Sequence, residues 1–150
     1  MWYAYLIIEV FLLIFLIMPK KLSLKEIYYS TGVIGFAAWL GDTLVGDVFS
    51  LFRIGPSPKT YMIDYIFISF IPLAIGLIYL NFLIIYKSAF YKWLWVVLAF
   101  FLEWGAAASG YMVNRGWKTW YSIPVFIMVF FVFLPYHLKI LRNEQKNHQH

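Results

Sequence analysis

"IMVFFVFL", residues 127–134, strings apolar side chains together without a polar break, and its reading decides the fold. A strand of a membrane β-barrel alternates apolar and polar residues over about ten positions. This run does not alternate, and neither does "FLLIFLI", residues 11–17. In lipid every backbone N–H and C=O must be satisfied internally, and a helix does this within one segment. The chain is therefore expected to be an all-α integral membrane protein.

Working outward, a hydrocarbon core about 30 Å thick needs about 20 helical residues. Five stretches qualify: 2–18, 26–52, 61–86, 90–113 and 117–141. Pro19 with Lys20 and Lys21 ends the first. Ser23 and Glu26 have the spacing of a capping box opening the second. "RIGPSPKT", residues 53–60, reads as a loop. Lys87 to Lys92 and "NRGWKT", residues 114–119, read as turns. Pro72 predicts a kink in the third span; Pro124 and Pro135 lie in the fifth. One helical domain is expected over 1–141, a bundle of five spans, followed by a polar, disordered tail over 142–150. The N-terminal "MWYAYLIIEVFLLIFLIMPKK" lacks the basic start and small-residue cleavage site of a signal peptide, so a retained span is expected.

Composition agrees. Of 150 residues, 63% are hydrophobic and 13% charged, where a soluble domain carries roughly a quarter charged. The net charge of +5 comes from basic residues scattered between apolar runs, which argues against nucleic acid as a partner. Without cysteine there are no disulfides, thiolate nucleophiles or cysteine-held metals. Alternate connections give the orientation. Lys20, Lys21, Lys25, Lys87, Lys92, Lys139, Arg142 and Lys146 lie on one side; Arg53, Lys59, Arg115 and Lys118 lie on the other. The positive-inside rule puts the N-terminus outside and the C-terminus in the cytoplasm. Trp2, Tyr3, Tyr61, Trp93, Trp117 and Trp120 fall near span ends, where such rings favour the interface.

"WLGDTLVGDVF", residues 39–49, places aspartates inside a span. At roughly 1.5 Å per residue, Asp42 lies roughly 13 Å below the outer end, Glu103 roughly 15 Å and Glu9 roughly 12 Å. Three carboxyl groups thus reach one layer. Gly35, Trp39, Asp42 and Gly46 form one helix stripe; Glu103, Ala107, Gly110 and Asn114 form another. Small residues favour close packing in lipid, so Asp42 and Glu103 are expected to share an interface or cavity, with Glu9 as a third member. An ionised carboxylate there costs at least about 2.5–3.5 kcal/mol. Three arrangements offset that: neutral hydrogen-bonding glue between helices, a proton or cation site, or a polar pocket for a lipid headgroup or small solute. Asp47 and Asp64 are expected at the outer interface, ionised and paired with Arg53, Lys59, Arg115 or Lys118.

Other motifs carry less. "GDTLVGD" lacks the acidic spacing that paired-metal phosphotransferases use. His137 has no second histidine at a haem or zinc spacing, and "HQH", residues 148–150, reads as solvated tail. No nucleophile–base pair, phosphate loop or cofactor motif is visible, so no catalytic residue and no cofactor is assigned. "NRGWKTWYS", residues 114–122, is the most distinctive hydrophilic stretch; it reads as an interfacial anchor, the alternative being an outward hairpin that holds an anionic headgroup or a partner.

"FLEWGAAASGYMVNRGWKTWYS", with "LGDTLVGDVFSLF" and "YLNFLIIY", resembles a group of uncharacterised small multi-span membrane proteins from Bacillus-like, spore-forming Gram-positive bacteria. The shared features are a Glu-Trp late in the fourth span, here Glu103 and Trp104, and then Gly116, Trp117, Lys118, Trp120, Tyr121 and Ser122. An aspartate of the second span corresponds to Asp42 or Asp47. The resemblance implies a bacterial cytoplasmic membrane and adds no activity. The expected function is a non-enzymatic accessory or interaction component among membrane lipids, self-associating or joined to another membrane protein. The alternatives are a small transporter or channel for protons or cations through Asp42 and Glu103, and a membrane-embedded enzyme acting on lipid.

Overall fold

The apolar runs fold as helices in the computed structural model, which describes residues 1–147. They are α1 (Trp2–Ile17), α2 (Leu24–Asp42), α3 (Met62–Leu83), α4 (Ala89–Ala108), α5 (Ser122–Met128) and α6 (Leu134–Asn147). A widened π-helical turn, Thr43–Val48, prolongs α2, and a second, Val129–Phe133, joins α5 to α6 in one rod. Three helices are long and apolar enough to cross a membrane: α3, α4 and the rod Thr119–Glu144. At 16 residues, α1 is about 24 Å long and falls short of a full hydrocarbon core. Lys25, Glu26 and three glycines dilute α2, which does not reach a spanning hydropathy.

The helix starts follow from side-chain chemistry. Ser23 Oγ accepts from the Glu26 N–H at 3.2 Å, and Glu26 Oε2 accepts from the Ser23 N–H at 2.8 Å, completing the capping box. Ser88 caps α4 through the Tyr91 N–H. Two ends differ from the sequence reading. The chain leaves its helix at Val48 and Ala108, and a short antiparallel ribbon forms from β1 (Phe52–Ile54) and β2 (Met112–Asn114). The ribbon occupies stretches read as loop and as the end of the fourth span. At the other terminus α6 runs on through Asn147, where a disordered tail was expected; His148 and His150 lie outside the described residues.

Helix α3 is the spine. From Ile71 to Leu83 most of its side chains are buried, and it packs against α1, α2 and α6. Tyr79 stacks on Tyr91 with ring centroids 5.5 Å apart, and its hydroxyl donates to the Phe130 carbonyl at 2.5 Å. That carbonyl needs an outside donor. The turn Val129–Phe133 bonds with π spacing, and the residue that should supply Phe130 is Pro135, which has no N–H. At the end that carries the C-terminus, Asn81 ties α3 to the α1–α2 loop. Its Oδ1 accepts from the Lys21 and Leu22 N–H groups, and its Nδ2 donates to the Pro19 carbonyl. At the opposite end, Leu51 O accepts from the N–H groups of Arg115, Gly116 and Trp117, which holds the ribbon onto the bundle.

Candidate functional site

One cleft of about 570 Å³ runs into the bundle beneath the ribbon. Its geometry follows from how α2 meets the last rod. At the C-terminal end the two are tied: Ser30 Oγ lies 3.0 Å from His137 Nε2, and Arg142 Nε donates to Glu26 Oε1 at 3.0 Å. Gly76 has no side chain, so Ile34 seats against α3 at the base; a Cβ there would meet Ile34 Cδ1 at 2.8 Å. Toward the ribbon no such tie joins α2 and α5 among the described residues, and the gap between them is the cleft. Ala37, Gly41, Val125 and Met128 line it and are also exposed, so it opens sideways between these helices. Phe52, Ile54 and Met112 of the ribbon roof it.

Four residues with polar side-chain atoms line this apolar space: Asp42, Glu103, Trp117 and Ser122. Three of them form a closed set. Ser122 Oγ donates to Glu103 Oε1 at 2.6 Å, and Trp117 Nε1 lies 3.0 Å from both Glu103 Oε1 and Ser122 Oγ. Asp42 sits where α2 widens into its π turn, half-buried, with no hydrogen-bond partner among the described residues. Asp42 and Glu103 therefore stand on the walls of one cleft whose other acid is already supplied with donors. The partners of Glu103 lie in "GWKTWYS", which the sequence marked as distinctive without linking it to an acid.

The small-residue stripes work differently from the expectation. Trp39 is exposed and a Cβ on Gly35 would meet nothing within 4 Å, whereas a Cβ on Gly46 would meet Phe52 Cε2 at 3.3 Å, so of this stripe the close approach is made at Gly46, against the ribbon and not against another helix. The close approach of α4 is made by Gly105 and Ala106 against Tyr3, whose hydroxyl donates to the Leu102 carbonyl at 2.5 Å.

Three expectations are corrected. Glu9 is exposed and does not line the cleft, since α1 buries the face of Tyr3, Ala4 and Phe11, and Glu9 lies about 140° round from Ala4. Asp64 makes no ion pair among the described residues. It is fully buried, its Oδ2 accepts from the Tyr61 N–H at 2.8 Å, and its Oδ1 accepts from the Tyr111 hydroxyl at 2.7 Å. Gly55, at φ +95°, packs so closely that a Cβ would meet Asp64 Oδ2 at 2.7 Å. The outer cluster does not assemble as ion pairs either. Asp47, Lys59, Arg115 and Lys118 are exposed, and the Nε of half-buried Arg53 has no partner among the described residues. The ion pair recorded among those residues is Glu26 with Arg142, at the other end.

Among the described residues no three histidine, aspartate or glutamate side chains gather as a metal site would require. No protein-family model matches the chain, and no curated protein or solved structure matches it.

Proposed function

We propose that this chain is a small multi-pass protein of a bacterial cytoplasmic membrane that holds an apolar-chained amphiphile in its lateral cleft, without catalysing a reaction. All five helical rods cross in this reading, α1 and α2 included, with the N-terminus outside and the C-terminus in the cytoplasm. The lysine and arginine asymmetry supports that orientation. Because the chain has no cysteine, single cysteines at Ser57 and Gln145 test it. An impermeant reagent added to intact cells should label the first and not the second; equal labelling contradicts the orientation.

The cleft carries the functional reading. Its walls suit a hydrocarbon chain and its side opens where lipid would lie. Lipid tails are as apolar as leucine, so the walls alone confer no preference among chains. Preference comes from the head. A half-buried Asp42 without a donor is costly in that setting, and an ammonium or hydroxyl head beside it offsets the cost. Passage of protons or cations is less well supported, because past Asp42 and Glu103 the lining toward Ile34, Gly76 and Leu134 offers no polar side chain.

The test uses a fluorescent long-chain amine and a carboxylate of equal chain length, bound to pure protein in detergent. The amine should bind more tightly. Asp42→Asn should weaken the amine at least tenfold, about 1.4 kcal/mol, and leave the carboxylate unchanged. Ala38→Trp, which fills the cleft, should weaken both. Equal binding of amine and carboxylate, or a cation flux in liposomes that Asp42→Asn abolishes, contradicts the proposal.

A further inference from the structure

A second cleft, of about 330 Å³, lies at the end of the bundle that carries the C-terminus. Its character is opposite to that of the first. Lys87 comes from the α3–α4 turn, Lys92 from the first turns of α4, and Lys139 and Arg142 from α6; Leu83 and Leu138 form part of the floor. Three separate segments thus bring four cations to one concavity. Among the described residues Lys87, Lys92 and Lys139 have no carboxylate within ion-pair distance. Arg142 gives its Nε to Glu26, and its terminal nitrogens have no protein partner there. Lys92 is held toward the last rod, its Nζ 5.4 Å from the centre of the Phe131 ring.

Three ammonium groups without a carboxylate partner, beside a guanidinium with one, leave an excess of positive charge around one cleft, and a multiply charged anion offsets it. A guanidinium offering N–H pairs beside several ammonium groups suits phosphate oxygens. Basic pockets between helices at a cytoplasmic membrane surface take anionic headgroups in this way. We infer that this cleft binds a phosphate group, carried by an anionic phospholipid headgroup or by a soluble phosphate ester. The site is separate from the lateral cleft; the inference rests on the proposed orientation of the bundle and not on what the lateral cleft holds.

The alternative is a diffuse preference of surface lysines for anionic membranes, and the α1–α2 loop supplies the control. Full-length protein is placed in nanodiscs of phosphatidylcholine doped with phosphatidylglycerol, and retained lipid is counted by native mass spectrometry. The triple variant Lys87→Gln, Lys92→Gln, Lys139→Gln should lose phosphatidylglycerol retention at least tenfold. The triple variant Lys20→Gln, Lys21→Gln, Lys25→Gln should change it less than twofold. Phosphatidylcholine retention should not respond to either. Thermal midpoints close to the parent show that the variants fold. Displacement of phosphatidylglycerol by millimolar glycerol phosphate assigns the site to soluble phosphate esters; no displacement assigns it to the lipid. Equal losses in the two triple variants, or a parent that prefers neither phosphatidylglycerol nor glycerol phosphate over phosphatidylcholine, overturns the inference.

Discussion

Asp64→Leu should lower stability by about 2–4 kcal/mol, because it removes the acceptor of a buried hydroxyl and of a partly buried helix-start N–H at once. The Tyr61 N–H is one of the N-terminal groups of α3 that the helix cannot satisfy itself. The Tyr111 hydroxyl is buried and has no second partner among the described residues. The same carboxyl group forms the surface on which Gly55 packs, and the Gly55 N–H donates to the Tyr111 carbonyl at 2.8 Å. Losing the carboxyl group therefore loosens the ribbon as well as the helix start. Asp64→Asn keeps one acceptor and turns its amide toward the other donor, so an intermediate loss is expected. Thermal unfolding in detergent, followed by tryptophan fluorescence, ranks the three proteins. A leucine variant within about 0.5 kcal/mol of the parent, the range of ordinary surface changes, would refute this role.

Asn81→Leu should be comparably severe. Leucine keeps the volume and strands two N–H groups and one carbonyl of the α1–α2 loop. Each buried unsatisfied group costs about 1–3 kcal/mol, reduced wherever water reaches the loop. The effect has a local signature. Lys20 and Lys21 are exposed in that loop, and freeing its backbone should speed tryptic cleavage there at least tenfold under native conditions. Unchanged cleavage with an unchanged melting temperature would show that Asn81 does not clamp the loop.

How much of this was legible in the sequence depends on how local each interaction is. Apolar runs in α1, α3, α4 and the last rod announce helices because each run carries its signal, apolar length without alternation, within one segment. The Ser23 and Glu26 box was readable because its partners are three residues apart. Glu26 then makes an ion pair 116 residues away, with Arg142, and no spacing rule reaches that far. The ribbon pairs Phe52 with Asn114 across α3 and α4, so its two short strands look like loop until the helices have packed. Depth along the helix placed Asp42 and Glu103 at similar levels, and rotation about it decided the rest. Both turn toward the cleft, while Glu9, at a matching depth, turns outward. Asp64 was misread because loop lysines and arginines near it in sequence suggested ion pairs, whereas the helix start and Tyr111 claim its oxygens.

The central claim is that an amphiphile's chain lies between α2 and α5 with its head beside Asp42, and photolabelling tests it most directly. Protein in nanodiscs doped with a long-chain amine bearing a diazirine near the end of its chain is irradiated, and the cross-linked residues are mapped by mass spectrometry. Labels concentrated on cleft residues such as Ile34, Ile68, Ile75 and Phe130, and reduced at least fivefold by Ala38→Trp, are the expected result. Labels spread over outward-facing Leu13, Val97 and Phe101, and indifferent to Ala38→Trp, would contradict the account.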